Sequence, residues 1–263
     1  MVKTTRKIFS MQDFEELKIM NAKALIAEFI GTFALIFVGV GAICTNYIVR
    51  GGITGTAVDL VAIALAHGLT IAVMVSATAA ISGGHLNPAV TFGAWLTNKI
   101  DPKNAFGYVI FQCLGAIFAA SLLKLAIPSE VLQGVSMGVP SLGQGETPLM
   151  GLVMEFILTF FLVFVVFGTA IDFRAPKMGG LFIGLAVALD ILAGGPLSGA
   201  AMNPARYLGP AFAGGGLKYF WLYWLGPLAG GAAAALLYHH VLEDKREAQI
   251  DPARIEQPPS NIR

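Results

Sequence analysis

The chain has 263 residues, of which 56% are hydrophobic and only 13% are charged. Because soluble domains carry about a quarter charged residues, this composition excludes an ordinary soluble domain and indicates a membrane protein. The formal net charge of +1 gives no reason to expect nucleic acid as a partner.

Six apolar segments follow one another along the chain, and each is near the length that a helix needs to cross a bilayer. They cover residues 24–49, 57–80, 105–127, 148–171, 178–195 and 218–242. The sequence therefore predicts an all-α membrane protein with six transmembrane helices.

These segments divide the chain into five expected regions. They are a cytosolic N-terminal segment (1–22), a first three-helix repeat (23–127), an extracellular connecting loop (128–147), a second three-helix repeat (148–242) and a cytosolic C-terminal tail (243–263). Most of the 17 lysines and arginines fall in the segments on one side of the membrane. By the positive-inside rule both termini lie in the cytosol, and we expect the cell membrane as the location.

The sequence offers little reactive chemistry. Cys44 and Cys113 lie in or beside apolar segments without metal-ligand spacing, so we expect neither a disulfide framework nor a metal site. The chain has no evident nucleophile–base pair and no phosphate-binding loop, so the sequence predicts neither an enzyme nor a cofactor.

A short motif occurs twice, each time between apolar segments. It reads Ser-Gly, three further residues and Asn-Pro-Ala. The two copies end in Asn87-Pro88-Ala89 and Asn203-Pro204-Ala205. Asparagine is a preferred helix N-cap and proline a preferred first helical residue. Since the run after each copy has only about ten residues, each motif predicts a re-entrant half-helix and not a span.

A second motif supports a duplicated chain. Glu-Phe-Ile, one variable residue and Thr begin at Glu28 in the first span and at Glu155 in the fourth. Three spans per repeat is an odd number, so the second repeat enters the membrane upside down. Inverted repeats place their interrupted helices near the middle of the bilayer, and we therefore expect the two half-helices to meet tip to tip.

These features together resemble the aquaporin (major intrinsic protein) family over residues 24–242. The resemblance implies six transmembrane helices plus two re-entrant half-helices, arranged as two inverted repeats in a right-handed bundle. It also implies a homotetramer in membrane lipid, in which each protomer has its own pore for water and small neutral solutes.

The irregular stretches before each Asn-Pro-Ala predict the polar wall of such a pore. Non-helical backbone at membrane depth is tolerated only where protein buries it or where it lines a water-filled cavity. We expect pore-facing carbonyl groups at Gly83, Gly84, His85, Gly199, Ala201 and Met202. The partial positive charge at the N-termini of both half-helices would oppose protons and cations. By the resemblance, Glu28 and Glu155 hold the backbone N–H groups of these stretches.

By the family's pattern, a narrow selectivity filter on the outer side comprises His67, Ile191, Ala200 and Arg206. Arg206 stands where the first repeat has Val90. An arginine at that position can repel cations and can also donate hydrogen bonds to passing oxygen atoms.

Several positions bear on the expected solute, among them Tyr207, Ile191 and Ala200. Tyr207 occupies the place at which glycerol-conducting relatives carry an aspartate, and in this it resembles the water-selective branch. Ile191 and Ala200 instead resemble some plant vacuolar-type members that pass ammonia as well as water. We expect water as the main solute, with ammonia or another small neutral solute in addition. A glycerol or small-polyol facilitator is the alternative.

An ion-coupled secondary transporter is the remaining alternative, because such proteins also use inverted repeats and broken helices. It would require ionisable groups that bind and release an ion. Asp190 is an acid inside the fifth span, and it is either a hydrogen-bonded structural acid or acts on Arg206 or His67. Asp59 is expected at the outer end of the second span, within reach of water.

Overall fold

In the computed structural model, residues 11–175 and 178–243 are described, with side chains from residue 22 onward. This part of the chain is all helical and contains no β-strand. Its α-helices are α1 (Met11–Val49), α2 (Ala57–Ser82), α3 (Pro88–Leu96), α4 (Pro102–Ala126), α5 (Ser129–Gly134), α6 (Pro148–Val166), α7 (Gly179–Ser198), α8 (Pro204–Pro210) and α9 (Phe220–Leu237).

Six helices of the described part are long and apolar enough to cross a membrane, and they confirm the predicted spans. They run over Ala22–Val49, Ala57–Ser82, Pro102–Ala126, Pro148–Ile171, Gly179–Ser198 and Phe220–Leu242. The fourth and sixth spans each end in a π-helical turn that continues α6 or α9.

The terminal regions are described only in part. Because α1 begins at Met11, the second part of the expected N-terminal segment is one helix with the first span. Residues 1–10 lie outside the described residues, and so do residues 244–263, which make up nearly all of the expected C-terminal tail.

The connecting region 128–147 is more ordered than the predicted loop. It holds α5 and a 3₁₀ turn in which Ser136, Met137 and Gly138 all have positive φ angles (49°, 58° and 68°). Leu132 of α5 is buried against the main core. Tertiary packing therefore stabilises a short helix where the glycine-rich sequence predicted only a loop.

Both half-helices, α3 and α8, begin as the sequence predicts. The Asn87 side chain accepts a hydrogen bond from the Ala89 N–H at 2.8 Å, and the Asn203 side chain accepts one from the Ala205 N–H at 3.0 Å. A proline occupies the first turn of each helix, where its missing N–H is not needed.

The spanning helix before each half-helix ends at a glycine in the left-handed conformation. Gly83 has a φ of 86° and Gly199 a φ of 83°, and both donate their N–H to the carbonyl four residues earlier. This conformation favours glycine and reverses the chain. Residues 83–86 and 199–202 are left as the irregular chain that leads into α3 and α8.

α2 and α7 cross in close contact at one glycine from each helix. A Cβ atom added to Gly68 would lie 2.5 Å from the Gly184 carbonyl oxygen, and one added to Gly184 would lie 2.3 Å from the Gly68 carbonyl oxygen. Ala188 lies beside Gly68 just as Ala72 lies beside Gly184. These reciprocal contacts are what two inverted repeats require.

Replacing Gly184 by alanine should destabilise the protein, because the new methyl group meets backbone that cannot move aside. Overpacking of this kind costs about 1–3 kcal/mol. The thermal unfolding midpoint of the purified protein in detergent should therefore fall by several degrees. Gly41→Ala is the matched control, since nothing lies within 4 Å of a Cβ atom there. Its midpoint should stay or rise, and equal midpoints for the two variants would contradict the close crossing.

Candidate functional site

A buried carboxylate binds the irregular chain before each half-helix. Glu28 of α1 is fully buried and accepts hydrogen bonds from the backbone N–H groups of His85 (3.0 Å) and Leu86 (2.7 Å). The Ser82 hydroxyl donates a third at 2.6 Å. Burying a carboxylate is costly unless it is hydrogen-bonded, and these donors offset that cost while they fix the direction of the backbone.

Glu155 of α6 has the same partners in the second repeat. It is fully buried and accepts hydrogen bonds from the N–H groups of Ala201 (2.8 Å) and Met202 (2.7 Å) and from the Ser198 hydroxyl (2.7 Å). In a trans peptide the C=O points opposite to the N–H. The carbonyl groups of these peptides therefore point away from the carboxylates.

In the first repeat, the sequence did not predict the role of Gln112. Gln112 of α4 is fully buried, and its amide nitrogen donates to Glu28 (2.7 Å) and to the Thr91 hydroxyl (3.0 Å). The same hydroxyl lies 3.1 Å from Nδ1 of His85. The available signal was a glutamine in the middle of an otherwise apolar span.

The two asparagines join the half-helices at their N-termini. Nδ2 of Asn87 donates to the carbonyl of Met202 at 2.8 Å, and Nδ2 of Asn203 donates to the carbonyl of Leu86 at 2.9 Å. The half-helices therefore meet tip to tip. An amide NH₂ group has two N–H donors, so each asparagine can offer the second to the space beside it.

That space is a narrow cavity of about 30 Å³, with room for about two or three water molecules. Residues of α1, α2, α6 and α7 line it, together with the irregular stretches and the first turns of α3 and α8. Asn87 and Asn203 are both among the lining residues. The wall is mostly apolar, with polar groups supplied by the backbone and a few side chains.

The structure brings the four predicted filter residues to this one cavity, where all are buried: His67, Ile191, Ala200 and Arg206. Arg206 donates from Nη1 to the carbonyl of Gly138 at 2.9 Å, so the connecting region holds the guanidinium group. Nδ1 of His67 lies 2.8 Å from the Ile63 carbonyl one turn earlier, which fixes the imidazole ring.

The predicted carbonyl positions divide into two groups. Four of the residues line the cavity: Gly84, His85, Ala201 and Met202. Gly83 and Gly199 are not among its lining residues, and the expectation for their carbonyl groups stays a prediction. Both are the left-handed caps of spanning helices, which places them at the start of the irregular stretches, before the cavity.

The two remaining acids, Asp190 and Asp59, are both buried. Asp190 does not line the cavity, and its Oδ2 is buried without a hydrogen-bond partner in the described part of the chain. Asp59 is 4% exposed at the first turn of α2. It accepts hydrogen bonds from the Thr56 N–H (2.9 Å) and hydroxyl (2.7 Å) and lies 3.5 Å from Nε of Arg50.

Six spanning helices, four of which line a narrow cavity beside two opposed half-helices, define a multi-pass membrane protein of the channel type. Residues 15–238 match the family model described as Major intrinsic protein. The chain therefore belongs to the major intrinsic protein family, which confirms the resemblance seen in the sequence.

Named relatives and a solved structure agree with this membership. The chain is 46% identical to aquaporin TIP4-4 of Zea mays over 220 residues, which cover 82% of this chain and 85% of that protein. It is also 46% identical to the probable aquaporin TIP3-2 of Arabidopsis thaliana over 233 residues, 84% of each chain. The X-ray structure of the aquaglyceroporin from Plasmodium falciparum matches with a TM-score of 0.72 and 28% identity, over 84% of this chain and 96% of that one.

Glu155→Gln should weaken the second irregular stretch, because an amide NH₂ replaces one of the two oxygen atoms that accept its donors. Leaving a buried donor unpaired costs about 1–3 kcal/mol. The thermal unfolding midpoint should drop, and so should the water permeability of proteoliposomes at equal protein content. Glu130→Gln, at an exposed position on α5, is the control and should change neither. A Glu155→Gln protein with unaltered stability and flux would argue against this role.

Proposed function

We propose that this protein is a passive channel that conducts water in single file and excludes protons and ions. The observation that carries the proposal is the cavity of about 30 Å³ that passes both asparagine caps. Its small volume favours a single file of water molecules. The relatives named aquaporins support the same function.

Water in the cavity would lose most of its bulk neighbours and gain two kinds of partner. Backbone carbonyl groups can accept its hydrogen atoms, while the second N–H groups of Asn87 and Asn203 can donate to its oxygen. A water molecule held by its oxygen directs its hydrogens away from the centre, which interrupts a continuous hydrogen-bonded chain for protons. The N-terminal ends of α3 and α8 add an electrostatic barrier to protons and cations.

His67, Ile191, Ala200 and Arg206 are the proposed selectivity filter. Arg206 carries a buried positive charge that repels cations, and its nitrogens other than Nη1 can donate to passing oxygen atoms. Ile191 and Ala200 supply an apolar wall. Such a wall lowers the cost of entry for less polar neutral solutes, so ammonia is a proposed second solute.

A glycerol facilitator is the second candidate, because one structural relative is an aquaglyceroporin. The surroundings of Tyr207 argue against it. Tyr207 is fully buried, its ring stacks on Tyr223 with centroids 4.5 Å apart, and its hydroxyl donates to the Lys218 carbonyl at 2.6 Å. The position next to Arg206 therefore adds packing and no polar group for a polyol.

An ion-coupled transporter would need an acid that is free to bind and release an ion. Glu28 and Glu155 are both occupied by hydrogen bonds from the backbone and from serine hydroxyls. Asp190 lies outside the cavity lining. The arrangement therefore favours a passive pore.

The proposed location is the cell membrane, with both termini in the cytosol. On the side where α3, α6 and α9 end, Lys99 pairs with Glu243 and Arg174 pairs with Asp172. The excess of lysine and arginine on this side supports a cytosolic assignment by the positive-inside rule. Assembly as a homotetramer is proposed from the family membership, with membrane lipid around the exposed apolar side chains of the spans.

Stopped-flow light scattering on proteoliposomes tests the proposed function. Under an osmotic step without any ion gradient, vesicles with the protein should shrink much faster than empty vesicles. Glycerol permeability measured in the same vesicles should be lower than water permeability by roughly tenfold or more, because the filter is narrow and carries few polar groups. Comparable glycerol and water permeability would favour the facilitator, and shrinkage no faster than that of empty vesicles would contradict a channel.

Arg206→Val should raise cation leakage while water flux is largely kept. The change removes the buried charge and gives the filter the residue of the first repeat, Val90. Because one charge in a poorly solvated site is worth several kcal/mol, leakage should increase on the order of tenfold or more. Potassium efflux from loaded vesicles measures it, and Lys124→Val, at an exposed cation on α4, is the control. Potassium efflux at the wild-type level in Arg206→Val would show that Arg206 does not act in the filter.

A further inference from the structure

Each residue of the proposed filter has a counterpart in the other repeat. Two residues are counterparts when they are as far apart in sequence as Asn87 and Asn203 are. The counterparts of His67, Ile191, Ala200 and Arg206 are, in that order, Ile183, Val75, Gly84 and Val90. All four counterparts line the same cavity as the filter and are buried. Because the repeats are inverted, this second set lies on the opposite side of the asparagines from the filter.

The two sets differ in chemistry. His67 and Arg206 give the filter two side chains with N–H groups, whereas Val75, Val90 and Ile183 have no hydrogen-bonding side-chain atom. The fourth member of the second set is a glycine and adds no side chain at all. Two of the four filter residues therefore have polar or charged side chains, and none of their four counterparts does; His85, next to Gly84, lines the cavity as a separate polar side chain.

A further pair sharpens this difference. The separation between the two buried glutamates relates Gly39 of α1 to Val166 of α6. A Cβ atom on Gly39 would lie 2.4 Å from Nε2 of His67, so the glycine makes room for the imidazole ring. Val166 lines the cavity at the equivalent place in the second repeat. The second repeat thus has an isopropyl group at the position where the first repeat has a glycine.

We propose that Val75, Gly84, Val90 and Ile183 form a second constriction, an apolar ring that discriminates among neutral solutes by how strongly they are hydrated. The proposal rests on the proposed channel function. A molecule in the apolar ring gives up water neighbours, and none of the four ring side chains can replace them, which is how hydrophobic constrictions oppose water. Ammonia holds its water neighbours less strongly than water does, so the apolar ring hinders ammonia less.

The filter and the apolar ring therefore select against different properties of a solute. The filter at Arg206 rejects charge, and the apolar ring sets the ratio of weakly hydrated to strongly hydrated neutral solutes. That ratio should respond to polarity in the apolar ring without any change in the exclusion of cations.

Val75→Thr tests the apolar ring, because it replaces one methyl group by a hydroxyl at almost the same size. Osmotic water flux and ammonia uptake, the latter followed with a pH-sensitive dye inside the vesicles, give the ammonia-to-water permeability ratio. One added hydrogen-bonding group should lower this ratio about two- to tenfold, because water gains more from it than ammonia does. Potassium efflux should remain at the wild-type level.

Val73→Thr is the matched control. Val73 lies on the same helix, but its side chain points out of the bundle and is 64% exposed. The control should keep the wild-type ratio. If the ammonia-to-water permeability ratio fell equally in both variants, the effect would come from outside the cavity. That result would contradict the proposed role of the apolar ring.

Val90→Thr repeats the measurement of the ammonia-to-water permeability ratio at a position on α3. It tests the apolar ring on its own if Val75→Thr does not insert into vesicles. Wild-type flux with an unchanged ratio in the threonine variants would overturn the apolar ring and leave the channel function intact. Wild-type vesicles no faster than empty ones would overturn the channel function, and the apolar ring with it.

Discussion

Two buried carboxylates determine the shape of the centre of this protein. A stretch of non-helical backbone inside a membrane is stable only if its polar groups find partners, and here Glu28 and Glu155 take the N–H groups of one stretch each. The carbonyl groups are left for the cavity. With these stretches held by the carboxylates, Asn87 and Asn203 form their reciprocal hydrogen bonds between the half-helices.

Function in this fold arises where the symmetry between the repeats is broken. The asparagines and glutamates are equivalent in the two halves and build the scaffold. The position of Arg206 corresponds to that of Val90 in the first repeat, and the position of His67 corresponds to that of Ile183 in the second. In the proposed channel, the filter at one end of the cavity rejects charge and the apolar ring at the other end favours weakly hydrated molecules. Gln112 is a further departure, because it reinforces the carboxylate of the first repeat.

The sequence predicted the spans and both half-helices because their signals are local: apolar length, an asparagine cap and a proline in the first turn. Features set by distant contacts were missed. α5 forms because Leu132 packs into the core, and Asp59 is buried because Thr56 and Arg50 surround it. The unpartnered oxygen of Asp190 could not be predicted either, since the positions of possible donors depend on the whole bundle.

In the proposed channel, molecules pass the two asparagine caps one behind another. The ratio of osmotic to diffusional water permeability in the same proteoliposomes tests it most directly, because molecules that cannot pass one another make osmotic flow exceed tracer exchange. With room for about two or three water molecules in the cavity, the ratio should be about two or more. A ratio of one would contradict the account.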